Sequence, residues 1–182
     1  GMEVGSLSPV CYTIHISYKK GDSMLTEHVQ LDVERQAVRC MSGNIMLLEQ
    51  RCDAGRRAFI HPLRPLDGQG VLTEDSPDHH PWQHGLYTGL HGVNGSDFWL
   101  DQGDATGRIE PQAPVMHDES SWSIQSLWRH HQGHGLLQEK QTWSLRMCEG
   151  GYMLDLRWSL TALCDVTVDQ NTYGGLFMRM PF

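Results

Sequence analysis

The chain has 182 residues, 39% of them hydrophobic and 20% charged, with a mean hydropathy of −0.43. That is enough chain for one buried core, and too polar a chain for a membrane-embedded helical protein. Acidic residues outnumber basic ones 22 to 14, for a formal charge of −8, which removes the broad attraction to phosphate backbones and anionic lipid on which nonspecific binding depends. Neither nucleic acid nor a membrane is expected as a partner.

Strict alternation begins early. Tyr12, Ile14, Ile16 and Tyr18 point one way and Thr13, His15 and Ser17 the other, the period-two pattern of a half-buried strand. A turn over Lys19 to Asp22 with Gly21 follows. Then Leu25, Val29, Leu31 and Val33 alternate with polar residues, so the two runs predict a hairpin. Further strands are expected at Asn44–Gln50 and Arg57–His61, then a loop at Pro62–Gly70, whose prolines and glycines break a ladder, and a second loop at Asp75–Gly85. Leu86–Val93 and Asp97–Leu100 are short strand candidates around Asn94-Gly95, a pair suited to a tight turn. The second half reads as a meander: Trp122 to Trp128, Leu137 to Leu145 and Tyr152 to Leu160 each alternate, and glycines 133, 135, 150 and 151 fall between the runs. No segment keeps a helical apolar period over a dozen residues. The reading is all-β, one antiparallel β-sandwich domain over 1–182, with Gly1 taken as a tag remnant.

Five scattered cysteines without a C-x-x-C pair predict neither a disulfide framework nor a zinc ribbon, and read as buried free thiols in a reducing compartment. With no signal-peptide pattern and no apolar run of membrane-span length, the expected location is the cytoplasm.

Of 11 histidines, His61, His79, His80, His84 and His91 fall within one short stretch. Together with Asp75, Asp78, Trp82, Gln83, Asn94, Asp97 and Trp99 they mix imidazole, carboxylate, amide and indole. Such a set can hold a metal, move protons near neutral pH, or grip a sugar by stacking and hydrogen bonds. For a metal, His80 and His84 have a ligand-pair spacing, but no third ligand follows at a diagnostic interval, so no metal or other cofactor is assigned. For proton transfer, His80, His84 and His91 are the candidate acids, with Asp75, Asp78 and Asp97 as orienting partners. Glu139 shares an alternation face with Leu137, Trp143 and Leu145, where a carboxylate is costly unless it is paired or lines a cleft. If Leu136 instead marks the inward face, Glu139 is in solvent. The six tryptophans are expected to pack between sheets, Trp82 excepted, since its indole could stack on a pyranose. Arg179, in the apolar run from Tyr173 to Phe182, is either the partner of a buried carboxylate or a substrate clamp.

Several pieces together, His61-Pro62-Leu63, Thr73 to Gly85, Val93-Asn94-Gly95-x-Asp97-Phe98-Trp99, and Tyr173-Gly174-Gly175-Leu176 through Arg179-Met180-Pro181, resemble a bacterial family labelled methane oxygenase PmoA, or PmoA-like. Many of its members read His-Pro-His-His-Arg-Gly where this chain has His80-Pro81-Trp82-Gln83-His84-Gly85. The membrane-spanning helices of a particulate methane monooxygenase subunit have no counterpart in this sequence. The resemblance implies instead a galactose mutarotase-like supersandwich, in proteins associated with carbohydrate catabolism. On that basis the chain is expected to bind a small-molecule carbohydrate in a cleft lined by His61, His79, Trp82, Gln83, Asn94, Asp97, Trp99, Tyr173 and Arg179. His80, His84, His91 and Glu139 would carry acid-base chemistry of epimerase, lyase or hydrolase type. A non-catalytic carbohydrate-binding module and a metal-dependent enzyme are the alternatives. The family sandwich is longer than this chain, so an open sheet edge, covered by a second copy in a homo-oligomer or by a missing C-terminal part, is also expected.

Overall fold

The computed structural model describes residues 9–17, 27–32, 36–100 and 104–182. Among them run twelve strands: β1 (Val10–Ser17), β2 (Glu27–Asp32), β3 (Ala37–Ser42), β4 (Ile45–Arg51), β5 (Phe59–Leu63), β6 (Leu86–Leu90), β7 (Arg108–Pro111), β8 (Val115–Met116), β9 (Ser121–Arg129), β10 (Gly135–Cys148), β11 (Gly151–Ala162) and β12 (Gly174–Met178). They form two antiparallel sheets. The first has the order β1-β11-β10-β9-β7, with β8 also on β9, and the second has the order β12-β6-β5-β4-β3-β2. The sandwich expected from the alternation is the fold, and no helix among the described residues is long and apolar enough to cross a membrane.

The long alternating runs behave as their pattern dictates. On β10, Leu137, Glu139, Gln141, Trp143 and Leu145 are buried while Lys140 and Arg146 are exposed. Trp122, Trp128, Trp143 and Trp158 join Leu48, Ile60, Leu86 and Leu154 in the core between the sheets. The inward face is thus the one that carries Glu139, because a register break between Gly135 and Leu137 resets the alternation after Leu136.

Three local expectations are corrected. The first two strands do not form a hairpin: β1 pairs along its whole length with β11, and β2 with β3, in different sheets. Residues 18–26, the expected turn, lie outside the described residues. Asn94-Gly95 does make a turn, but it closes only an isolated bridge, Val93 to Ser96. Asp97–Leu100 is not a strand, because the Asp97 carboxylate accepts from the backbone N–H groups of Trp99 (2.7 Å) and Leu100 (3.2 Å) and curls the chain. All five cysteines are unpaired, yet only Cys40 and Cys52 are buried, while Cys11 and Cys164 are exposed.

The sheets differ in their outer faces. On the first, outward residues such as Thr13, His15, Lys140, Arg146 and Arg157 are exposed. On the second, Glu49, Phe59 and Tyr87 point away from the core yet are 4%, 0% and 1% exposed. Over Phe59 and Tyr87 lie rings from the chain before β6 and after it, His84 and Trp99, while Glu49 is flanked by Arg39 and Arg51.

Candidate functional site

The segment expected as a loop at Asp75–Gly85 is a miniature hairpin. Ser76 N donates to Gln83 O (2.8 Å) and Gly85 N to Glu74 O (2.9 Å), so Asp75 and His84, nine residues apart, face each other across an isolated antiparallel bridge. Directly opposed residues of a ladder put their side chains on one side. Here Asp75 Oδ1 lies 2.8 Å from His84 Nδ1, and Ser76 Oγ donates to the same carboxylate oxygen at 2.9 Å. Ser76 Oγ is also 3.1 Å from His84 Nδ1. Serine and aspartate crowd one ring nitrogen, so this is not a nucleophilic triad, in which they would occupy opposite nitrogens. It is an imidazole–carboxylate pair in which Asp75 and Ser76 fix the orientation of the His84 ring through Nδ1.

A glycine places the dyad on the sheet. Gly85 has φ +40°, and a Cβ there would stand 2.1 Å from the carbonyl oxygen of Ile60 on β5. Only glycine lets the hairpin lie this close. His84 consequently rests on Phe59 (ring centroids 5.0 Å) and near Tyr87 (6.5 Å). Beside it on β5, His61 Nδ1 is 3.0 Å from Thr73 Oγ1, which also accepts from Leu63 N.

The electrostatics follow from this packing. Burial would raise the Asp75 carboxyl, but hydrogen bonds from His84 and Ser76, with the charges of His84 and His61, hold it below its ordinary value. Burial lowers His61, and Arg51 and Arg64 add to this against the opposing pull of Asp75 and Glu49, so the charged imidazole is disfavoured there. On β4, burial would likewise raise Glu49, yet Arg51 (Nε to Oε1, 2.8 Å) and Arg39 (Nε to Oε2, 2.6 Å) hold it low.

The remaining predicted residues separate into two groups. Arg179 donates from Nε to Glu74 Oε2 (3.0 Å) and from Nη1 to Gln83 Oε1 (3.2 Å), and its Nη2 meets His79 Nε2 at 2.6 Å. It therefore clasps the end of the chain after β12 to the hairpin, as a carboxylate partner rather than an open clamp. His80 and Trp82 sit at the hairpin tip, rings 5.4 Å apart. At the other end, Asn94 is tied to the backbone of Asp165 and Thr167, and Asp97 to its own turn, with His91 Nε2 3.6 Å away. Trp99 packs on Tyr87 and Phe177, and the exposed Tyr173 stacks on it at 6.1 Å.

Glu139 is not with the histidines. It is fully buried between the sheets, where Oε1 accepts from Trp158 Nε1 (2.7 Å), Thr88 Oγ1 (2.8 Å) and Gln141 Nε2 (3.1 Å). Thr88 and Tyr87 are neighbours on β6 pointing to opposite faces, so the sheet itself separates Glu139 from His84. The cysteine closest in this environment, Cys52, has its thiol pushed up to about 12 by burial first and by Asp53 and Glu139 second.

The sequence reading passed over Arg39, Glu49, Arg51, Arg57, Thr73 and Tyr87. Arg57 is buried, with Nη1 on Phe98 O (2.8 Å), Nη2 on Trp99 O (3.3 Å) and the guanidinium over the Tyr87 ring at 5.0 Å. It pins the segment after β6 over the sheet. Room for it comes from Gly89, where a Cβ would lie 2.9 Å from Arg57 Nη1. The Glu49/Arg51 alternation with Leu48 and Gln50 was the one available signal. Among the described residues no group of three or more His, Cys, Asp or Glu side chains is arranged to hold a metal; the His80 ring lies with His79 and Trp82 and the His84 ring on Phe59.

Comparison with known proteins gives one match. The profile of DUF6807, described as a family of unknown function, covers residues 19–182. No curated protein and no solved structure matches the chain.

Proposed function

We propose that this chain, which belongs to the DUF6807 family, binds a sugar on the covered outer face of its second sheet and carries out acid-base chemistry there through His84 held by Asp75. The observation that carries the reading is that one sheet face of two is roofed by loops and lined by aromatic rings, imidazoles and paired charges, the mixture that stacks on a pyranose and bonds its hydroxyls. The resemblance of the His61-Pro62-Leu63 and Tyr173-Gly174-Gly175-Leu176 pieces to PmoA-like proteins, and through them to mutarotase-like sandwiches, supports the same ligand class. A cytoplasmic setting belongs to this reading.

The chemistry assigns two imidazoles with unlike surroundings. Asp75 would steady the protonated His84, which gives its proton to the ring or leaving oxygen of the sugar, whereas His61, whose charged form burial disfavours, would accept one from a sugar hydroxyl. Glu139 has no part in it. A non-catalytic binding module is the second reading, favoured by the His84 side chain being only 5% exposed.

The test is a calorimetric screen of neutral mono- and disaccharides against wild type, His61→Ala and His84→Gln, with anomer exchange and bond cleavage followed by NMR. A sugar that binds wild type, binds His61→Ala at least about 10-fold more weakly, and loses turnover by about 100-fold or more in His84→Gln supports the enzyme. Binding without turnover selects the module. A sugar bound equally by the folded His61→Ala protein contradicts the site.

A further inference from the structure

The covered face is not uniform. From β12 towards β6 and β5 it is aromatic, with Phe177, Tyr87 and Phe59 in succession. On β4 and β3 it carries two arginines, Arg51 and Arg39, in a protein whose formal charge is −8.

One carboxylate serves two guanidiniums there. Glu49 takes Arg51 on Oε1 and Arg39 on Oε2, each through Nε. Arg51 has a 34% exposed side chain, and among the described residues its only polar bond is that Nε contact; its guanidinium stands 5.9 Å from the Phe59 ring centroid. Among the described residues, neither terminal nitrogen has a hydrogen-bond partner. Arg64, at the start of the covering segment, donates from its side chain to the Met46 carbonyl (3.3 Å), and its backbone is fixed by Tyr152 Oη donating to its carbonyl at 2.6 Å. The charges of Arg51 and Arg64 both act on His61. The carboxylate on the other side of His61, Asp75, already has His84 and Ser76 as partners.

A guanidinium held at Nε by a buried carboxylate, with its outer edge towards solvent, presents parallel N–H donors that match the two oxygens of an anion. A neutral sugar would use this edge less well than one carrying a negative group. We infer that the ligand of this face is an anionic sugar, its carboxylate or phosphate bound by Arg51 beside His61. This rests on the sugar-binding reading above and adds the charge of the ligand and the residue that selects it.

The experiment titrates D-glucuronate, D-galacturonate, D-glucose 6-phosphate, D-glucose and D-galactose into wild type and into Arg51→Gln and Arg51→Lys, in low and moderate salt. Circular dichroism establishes that each variant is folded. Wild type should bind at least one anionic sugar about 10-fold or more tighter than its neutral parent. Arg51→Gln should erase that margin while leaving the neutral parent within about twofold, and Arg51→Lys should restore only part of it, because an ammonium lacks the bidentate fork. Whether a uronate or the sugar phosphate is preferred distinguishes the two sources of charge. Equal binding of anionic and neutral sugars, or an anionic preference that survives in Arg51→Gln, overturns the inference and leaves sugar binding intact. Binding of none of the five overturns both.

Discussion

Asp75 shows what a single carboxylate does in this fold. It accepts from His84 and Ser76, and its pKa is held below the ordinary carboxylate value, as is that of Glu49 between its two arginines. A carboxyl whose folded pKa is depressed contributes stability that is complete above its unfolded value, near 4, and is lost as pH falls through the folded value. Urea unfolding should therefore show a stability decline below about pH 5 that is shallower in Asp75→Asn and in Glu49→Gln than in wild type. At pH 7 each variant should be less stable by about 1–3 kcal/mol. Equal acid slopes in all three proteins would contradict the pairing. Composition pointed to the histidine-rich stretch, but spacing could not say that His84 pairs with a carboxylate nine residues earlier while His80, four residues before it, does not. That distinction depends on which residues face each other across a two-residue ladder, too short to leave a period in the sequence.

Strands with one wet face were the most legible elements. Along β10 and β11 buried residues alternate with partly or fully exposed ones, so the alternation survives in the sequence, and Glu139 could be assigned to the inward face but for the register break after Leu136. The second sheet was harder, because its strands β5 and β6 are buried on both faces. Phe59 and Ile60 are adjacent and both fully buried, which erases the alternation, and β3 was not anticipated at all. The covering hairpin hangs on Gly85. Gly85→Ala would force a Cβ against the Ile60 carbonyl, so it should cost about 2 kcal/mol or more and pull the Asp75–His84 pair off the sheet. Thermal unfolding measures the first effect, and the imidazole resonance of His84 in NMR reports the second. An alanine variant with wild-type melting would show that the hairpin does not lie where the close approach requires it.

Across the whole molecule, the two sheets are joined by a polar ladder as well as by apolar packing. Trp122 donates to Gln50, Gln50 to Gln141 at 3.3 Å, and Trp143 to Gln141 at 2.9 Å; Glu139 then gathers Gln141, Thr88 and Trp158. Gln50 and Thr88 belong to the second sheet and the others to the first. Removing the shared acceptor strands several buried donors at once, so Glu139→Ala should lose about 3 kcal/mol or more in a single cooperative transition. Two separate transitions would mean that the sheets do not depend on this ladder. A role inside the sandwich also explains why the sequence could nominate Glu139 for chemistry and yet mislead: a carboxylate on an apolar face reads alike whether it lines a cleft or anchors an interior network.

The central claim is that a sugar occupies the covered face of the second sheet. Its most direct test is a titration of D-galacturonate, D-glucuronate and their neutral parents into protein labelled at histidine, following every imidazole by NMR. The account predicts that His61 and His84 shift with one saturating curve while His15 and His117, on the other sheet, stay in place. Shifts confined to His15 and His117, or saturating binding that leaves His61 and His84 unmoved, would contradict it.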